Sequence, residues 1–169
     1  NVLISGIPPN STFVLILNPD TNTTDTTTIT GLAGGIKWTG GVLAPNGKIY
    51  GIPADSNSVL ILDPNTNTAD ITSIAGLTGT AKWSGGELAR NGKIYGIPFS
   101  ATEVLIIDPA TDTVDTTTIT GLGGTAKYQN GALGPDGKIY AFASGANNVL
   151  IIDPATDTAD TTTLGGVGG

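Results

Sequence analysis

Three dipeptides return at a fixed interval. Lys37-Trp38, Lys82-Trp83 and Lys127-Tyr128 each lie 45 residues from the last. A cation beside an aromatic ring suits sugar recognition, because the ring can stack on a pyranose while the ammonium donates to its hydroxyls. Three such pairs around one rim would add avidity. The competing role is structural: the ring wedges between neighbouring elements and the lysine carries its charged head to solvent. A second pattern suggests calcium, since Asp63, Asn65 and Asn67 have the D-x-N-x-N spacing of a calcium loop. Pro64 interrupts it, the required glycine is missing, and Ala110 and Ala155 occupy the middle position in later copies. The stretch reads more simply as a turn in which Asn67, Asp112 and Asp157 take the left-handed conformation. Asn10-Ser11-Thr12 and Asn22-Thr23-Thr24 match the glycosylation sequon, so Asn10 and Asn22 are candidate acceptors in a secreted chain.

Catalysis is harder to build. Histidine and cysteine are absent, which removes the commonest general base and the thiolate chemistries. Catalytic groups in a repeat protein are expected where one copy departs from the pattern. The departures are Phe13, Glu87, Arg90, Phe99, Glu103, Tyr128 with Gln129, and Phe142. Glu87 with Arg90 is the charged pair among them that breaks an inner strand. These residues assemble no mechanism, so no catalytic residue, metal site or cofactor is assigned.

Charge narrows the partners. The 169 residues carry 7 basic and 14 acidic side chains, a net charge of −7. Phosphate backbones need clustered Lys and Arg, so nucleic acid is excluded as a partner, and anionic membrane surfaces are disfavoured alike. No apolar run reaches the roughly 18 residues of a spanning helix, so membrane insertion is not expected. Methionine is absent, and no signal peptide is visible. The chain is therefore expected to be a processed form or a window on something longer.

The elements that would position these residues follow from one repeat. Lys48–Pro53 and Lys93–Pro98 both read KIYGIP, and Lys138–Ala143 reads KIYAFA. Copies two to four span 37–81, 82–126 and 127–169. Residues 1–36 form a partial first copy, with Leu3–Pro8 a worn KIYGIP. Each copy predicts four short strands. The first covers Gly40–Ala44, Gly85–Ala89 or Asn130–Gly134. An Asn-Gly or Asp-Gly pair then predicts a type I′ hairpin turn, and KIYGIP is the second strand. The third is a continuous apolar run at Val14–Asn18, Val59–Asp63, Val104–Asp108 and Val149–Asp153, which implies burial on both faces. The fourth is Thr-rich and suits an exposed edge: Asp25–Thr30, Asp70–Ile74, Asp115–Thr120 and Asp160–Leu164. Tyr50, Tyr95 and Tyr140 are expected to pack between copies with their hydroxyls on local partners. Lys48, Lys93 and Lys138 are expected to be solvated or paired with carboxylates.

Four antiparallel strands per 45 residues predict an all-β fold, a β-propeller of four-stranded antiparallel blades with about 3.75 blades present. A solenoid is the weaker alternative. The stretch GGVLAPNGKIYGIPADSNSVLILDPNTNTADI resembles the blades of YVTN-type and NHL-type propeller repeats, and the resemblance extends over all copies. It implies the architecture and says little of activity, because such repeats occur in cell-surface proteins, scaffolds and enzymes. The chain is about 11 residues short of four full copies, and the shortfall is the first copy's innermost strand. Three readings follow: a part of a larger ring, a subunit that pairs with another copy to complete one, or a four-bladed ring with a defective first blade. The functional expectation is a non-enzymatic structural or interaction scaffold, extracellular or on a cell surface. Its partners would be proteins or its own copies. The alternatives are a glycan-binding lectin, and a fragment of a lactonase-like or quinoprotein-like propeller enzyme whose catalytic residues lie outside this chain.

Overall fold

The computed structural model describes residues 3–167. The outer limits expected for the first and last copies, residues 1–2 and 168–169, lie outside the described residues. Every regular element among the described residues is a strand, and all pair antiparallel. Blade 1 is a three-stranded sheet of β1 (Ile4–Gly6), β2 (Leu15–Asn18) and β3 (Thr23–Asp25). Blade 2 holds β4 (Trp38–Leu43), β5 (Ile49–Pro53), β6 (Leu60–Asp63) and β7 (Thr68–Asp70). Blade 3 holds β8 (Trp83–Leu88), β9 (Ile94–Pro98), β10 (Leu105–Asp108) and β11 (Thr113–Asp115). Blade 4 holds β12 (Tyr128–Leu133), β13 (Ile139–Ala143), β14 (Leu150–Asp153) and β15 (Thr158–Asp160). Strand order within each sheet follows the chain, so each blade is a meander. Among the described residues blade 1 has no strand inside β1.

The register repeats with the sequence. Tyr50 pairs with Ile61 across β5 and β6, Tyr95 with Ile106, and Tyr140 with Ile151. Each inner strand carries a bulge between its aromatic residue and the Gly41, Gly86 or Gly131 that follows. Gly40, Gly85 and Asn130 take positive φ there, as a bulged residue commonly must.

The core lies between blades, not within one sheet. Val14 and Ile16 of blade 1 pack with Trp38, Leu60 and Leu62 of blade 2. Tyr50, Ile52, Val59 and Ile61 of blade 2 pack with Trp83, Ile94, Leu105 and Ile107 of blade 3. Tyr95, Ile97, Val104 and Ile106 of blade 3 pack with Tyr128, Ile139, Leu150 and Ile152 of blade 4. The middle strands therefore bury both faces, which is why their apolar residues run without alternation.

Two local expectations are corrected. The fourth strands are three residues long and end at Asp25, Asp70, Asp115 and Asp160, where the sequence predicts that they begin. Each aspartate draws the next residues into a turn instead. Asp115 Oδ1 accepts from Thr117 N at 2.6 Å, Thr117 Oγ1 at 2.8 Å and Thr118 N at 3.2 Å, and Thr118 Oγ1 donates to Oδ2. Local side-chain bonding of this kind competes with a ladder and here defeats β-propensity. The hairpin turns are not type I′ either. Gly47, Gly92 and Gly137 take positive φ, but Asn46, Asn91 and Asp136 do not. Gly47 N donates to Ala44 O at 3.0 Å, so Pro45 and Asn46 form the centre of the turn and glycine follows as a bulge. Proline's fixed φ suits the first central position of a type I turn and forbids I′ there.

Candidate functional site

The three lysines singled out in the sequence are buried, and none reaches solvent. Lys82 is 3 % exposed, and Lys37 and Lys127 are buried similarly. Each ammonium has three donors and meets three backbone carbonyls. Lys82 Nζ donates to Ala54 O at 2.7 Å, Ser56 O at 2.9 Å and Gly79 O at 2.9 Å. Lys127 Nζ reaches Phe99 O, Ala101 O and Gly124 O, and Lys37 Nζ reaches Pro9 O, Ser11 O and Gly34 O. In each set all three carbonyls belong to the preceding copy, the third lying on the segment that leads into the lysine's own strand. The lysine main chain joins the same segment, with Lys82 N donating to Ala54 O at 3.2 Å. Burial pushes all three amines below the ordinary lysine value. The expected lysine at the solvent rim is thus replaced by an ammonium that fastens one blade to the next.

The residue before each lysine is held in a strained backbone. Ile36, Ala81 and Ala126 have φ of 44°, 46° and 50°, a region that costs a non-glycine residue roughly 1–3 kcal/mol. A side chain of the preceding blade anchors each one. Asn10 Oδ1 accepts from Ile36 N at 2.8 Å, Asp55 Oδ1 from Ala81 N at 2.6 Å, and Ser100 Oγ from Ala126 N at 3.3 Å. Asn10, a glycosylation candidate, is exposed and uses its carbonyl oxygen here. Asn22, the other, lies exposed in the turn after β2 with φ of 52°.

The aromatic partners are buried as well. Trp38 Nε1 donates to Ser58 O at 2.8 Å, Trp83 Nε1 to Glu103 O at 2.9 Å, and Tyr128 Oη to Asn148 Oδ1 at 2.6 Å. The Lys37 and Lys82 ammonium groups lie 5.7 and 5.9 Å from the centroids of Trp38 and Trp83. A cleft of about 270 Å³ beside Lys37 and Trp38 is lined by Gly34, Asp55 and Asn57. A smaller one of about 150 Å³ lies beside Lys127 and Tyr128. Both fall below the roughly 300 Å³ at which small-molecule pockets begin.

A second set of contacts joins the blades at their hairpins. Tyr50 Oη donates to Asp112 Oδ1, and Tyr95 Oη to Asp157 Oδ1, each bond crossing to the next blade. Asn46 Nδ2 donates to Tyr50 Oη and to Pro109 O, at 2.9 and 2.8 Å; Asn91 does the same with Tyr95 and Pro154. Lys48 pairs with Asp112 at 2.9 Å. The left-handed turn residues Asp112 (φ 51°) and Asp157 (φ 50°) are therefore gripped by the hairpin of the preceding blade. Burial raises Tyr50 to about 12, assisted by its bond to Asp112. Tyr140 instead donates to its own Asp136 at 2.8 Å, and Lys138 lies 3.8 Å from Asp153.

The remaining candidates stay apart. Glu87 is half-buried and pushed up by desolvation, while Arg90 donates to Pro135 O of blade 4 at 2.7 Å. The two form no ion pair. In the turns considered for calcium, Asp63 Oδ1 accepts from Asn65 N at 2.9 Å, and Asp108 and Asp153 accept likewise from Ala110 N and Ala155 N. Among the described residues no group of three acidic side chains converges.

Neither a family model nor a curated protein matches this sequence. Solved structures do match its shape. The chain superposes on virginiamycin B lyase from Staphylococcus aureus with a TM-score of 0.69 at 12% identity, covering 89% of this chain and 48% of the lyase. It superposes on a protein described as a 6-phosphogluconolactonase from Bacteroides uniformis with a TM-score of 0.67 at 16% identity, covering 95% and 50%. The extracellular domain of a one-component system from B. thetaiotaomicron gives 0.68 at 12% identity, covering 95% and 22%. The fold is a β-propeller, and the chain spans about half the length of the lyase and the lactonase.

Proposed function

We propose that this chain is a non-enzymatic interaction scaffold, acting outside the cell or on its surface through partner proteins. One observation carries the reading. The polar side chains singled out as binding groups are consumed in holding blades together: Lys37, Lys82 and Lys127 on backbone carbonyls, and Tyr50 and Tyr95 on the next blade's aspartate. A repeat selected to present ligand-binding groups would leave them free toward a cleft. Similarity of fold to solved extracellular domains supports the location, as do the exposed acceptors Asn10 and Asn22, which we propose as glycosylation sites.

The lectin reading keeps one point in its favour, the clefts beside Lys37–Trp38 and Lys127–Tyr128. Tryptophan fluorescence separates the two, because Trp38 and Trp83 are the chain's only tryptophans. Titration with neutral and acidic glycans should leave emission unchanged. A saturable change lost in Lys37→Met would replace the scaffold with a lectin. Turnover of a sugar lactone or a streptogramin that falls in Glu87→Gln would replace it with an enzyme.

A further inference from the structure

The chain carries three Asn-Gly pairs, Asn46-Gly47, Asn91-Gly92 and Asn130-Gly131. Asn-Gly is prone to lose its side-chain amide, because glycine has no β-carbon to keep its nitrogen away from the asparagine Cγ. The first two pairs occupy the same place in the hairpins of blades 2 and 3, and both reacting groups are held there. Asn46 Oδ1 accepts from Lys48 N at 3.0 Å, and its Nδ2 donates to Tyr50 Oη and Pro109 O. The nitrogen that would attack, Gly47 N, donates to Ala44 O at 3.0 Å. Asn91 repeats these bonds on Lys93, Tyr95 and Pro154, and Gly92 N donates to Ala89 O at 3.1 Å.

Asn130 stands elsewhere. It lies in the bulge of β12, at the position that Gly40 and Gly85 fill in blades 2 and 3. Its φ of 57° is a left-handed conformation that those glycines adopt without strain. Its carboxamide lies against Gly85 of blade 3, with none of the bonds that pin Asn46 and Asn91. The ladder does not hold the attacking nitrogen either. Gly134 N donates to Lys138 O at 2.7 Å, so those two residues form a bonded pair. Bonded and non-bonded pairs alternate in an antiparallel ladder. Ala132 with Tyr140 is therefore the next bonded pair, and Gly131 with Ala141 is a non-bonded one. The Gly131 N–H points away from β13, toward the inner side of the blade.

We propose that Asn130 is a self-modification site, where the folded chain converts an asparagine to aspartate or isoaspartate, while the fold preserves Asn46 and Asn91. Gly131 N gives its proton to solvent and bonds Asn130 Cγ. The Cγ–Nδ2 bond breaks, and the amide leaves as ammonia with a proton taken from solvent. Water then opens the resulting succinimide. Attack at Cγ gives aspartate, and attack at the main-chain carbonyl gives isoaspartate, in which the backbone runs through Cβ and Cγ. That longer backbone falls in a bulge, where the ladder is already interrupted. Either product sets a carboxylate beside Gly85 and adds one negative charge to a chain of net charge −7. The altered molecules accumulate with age.

Incubation of the folded chain in mildly alkaline buffer, followed by peptide mapping with mass spectrometry, tests the assignment. Asn130 should convert first, with release of ammonia and appearance of isoaspartate. Asn46 and Asn91 should convert at least about tenfold more slowly, because one or two hydrogen bonds must open before they react. Unfolding in urea should bring the three rates together. Asn130→Gly places at this bulge the residue that blades 2 and 3 have there. It should leave circular dichroism and melting unchanged and abolish the fast release of ammonia. Equal rates at the three sites in the folded chain, or faster conversion of Asn46 or Asn91, would overturn the proposal. So would a preference for Asn130 that persists undiminished in urea, since it would then come from the flanking residues and not from the fold.

Discussion

Tyr95 and Tyr140 occupy the same position in consecutive blades, yet they do different work. Tyr95 is fully buried, and its hydroxyl crosses to Asp157 of blade 4. Tyr140 is half-buried and bonds Asp136 of its own hairpin. The same contrast holds for Ile97 against Phe142, and for Lys48, paired at 2.9 Å with Asp112 of the next blade, against Lys138, which lies 3.8 Å from Asp153 of its own blade. A blade therefore has no fixed interior of its own. Its faces become core only where another blade lies against them, as expected of repeat units that cannot bury their apolar surface alone.

The sharpest way to break this comparison is by volume. Ile97→Ala should cost about 2–5 kcal/mol through transfer and cavity terms. Phe142→Ala should stay within about 0.5 kcal/mol, as surface changes do. Urea unfolding of both measures the difference; equal losses would mean that blade 4's outer face is already covered.

Next in size is the ammonium clamp. Lys82→Met keeps the aliphatic stem but strands three backbone carbonyls, that of Ala54 buried, and should cost about 3 kcal/mol. Lys138→Met should cost less than about 0.5 kcal/mol, its partner being exposed. Parallel thermal melts would show the gap, and a mild Lys82→Met would return that lysine to candidacy as a binding group.

Smaller still is the hydroxyl. Tyr95→Phe should lose about 1 kcal/mol, while Tyr140→Phe should be neutral. Alkaline titration sharpens the point. Tyr50 has a folded value of about 12 against an unfolded value near 10.0. The stability it contributes is complete below 10 and is lost as pH rises through 12. Tyrosinate absorbance should rise together with loss of circular dichroism over that window, and Tyr50→Phe should remove its share of the coupling.

The smallest effect expected is on the acid side, and every blade should contribute to it. Hydrogen bonds to Thr hydroxyls and amides hold the outer-turn Asp25 and Asp115 near 2. Depressed carboxylates stabilise above their unfolded value and cease to do so as pH falls through the folded one. Circular dichroism should thus hold to about pH 4 and decline toward 2. Asp115→Asn should narrow that decline without altering blade contacts.

Much of this was legible in the residues. The strict interval and the apolar runs announced the blades. The left-handed Asn67, Asp112 and Asp157 followed from turn chemistry. The outer strands were misplaced because Thr-rich sequence favours strands in general, whereas an aspartate ahead of two hydroxyl residues captures them locally. The turn type was missed because Asn-Gly outweighed the proline before it. The lysines were misjudged because a sequence shows a charge but not the carbonyls around it.

Periodicity alone determined the repeat, the all-β blades and their order, because each blade is closed by bonds between residues near in sequence. What the tertiary structure decided was which side chains are used up. Lys82 meets Ala54, and Tyr50 meets Asp112, only when separate blades stack, and no local rule encodes which faces will meet.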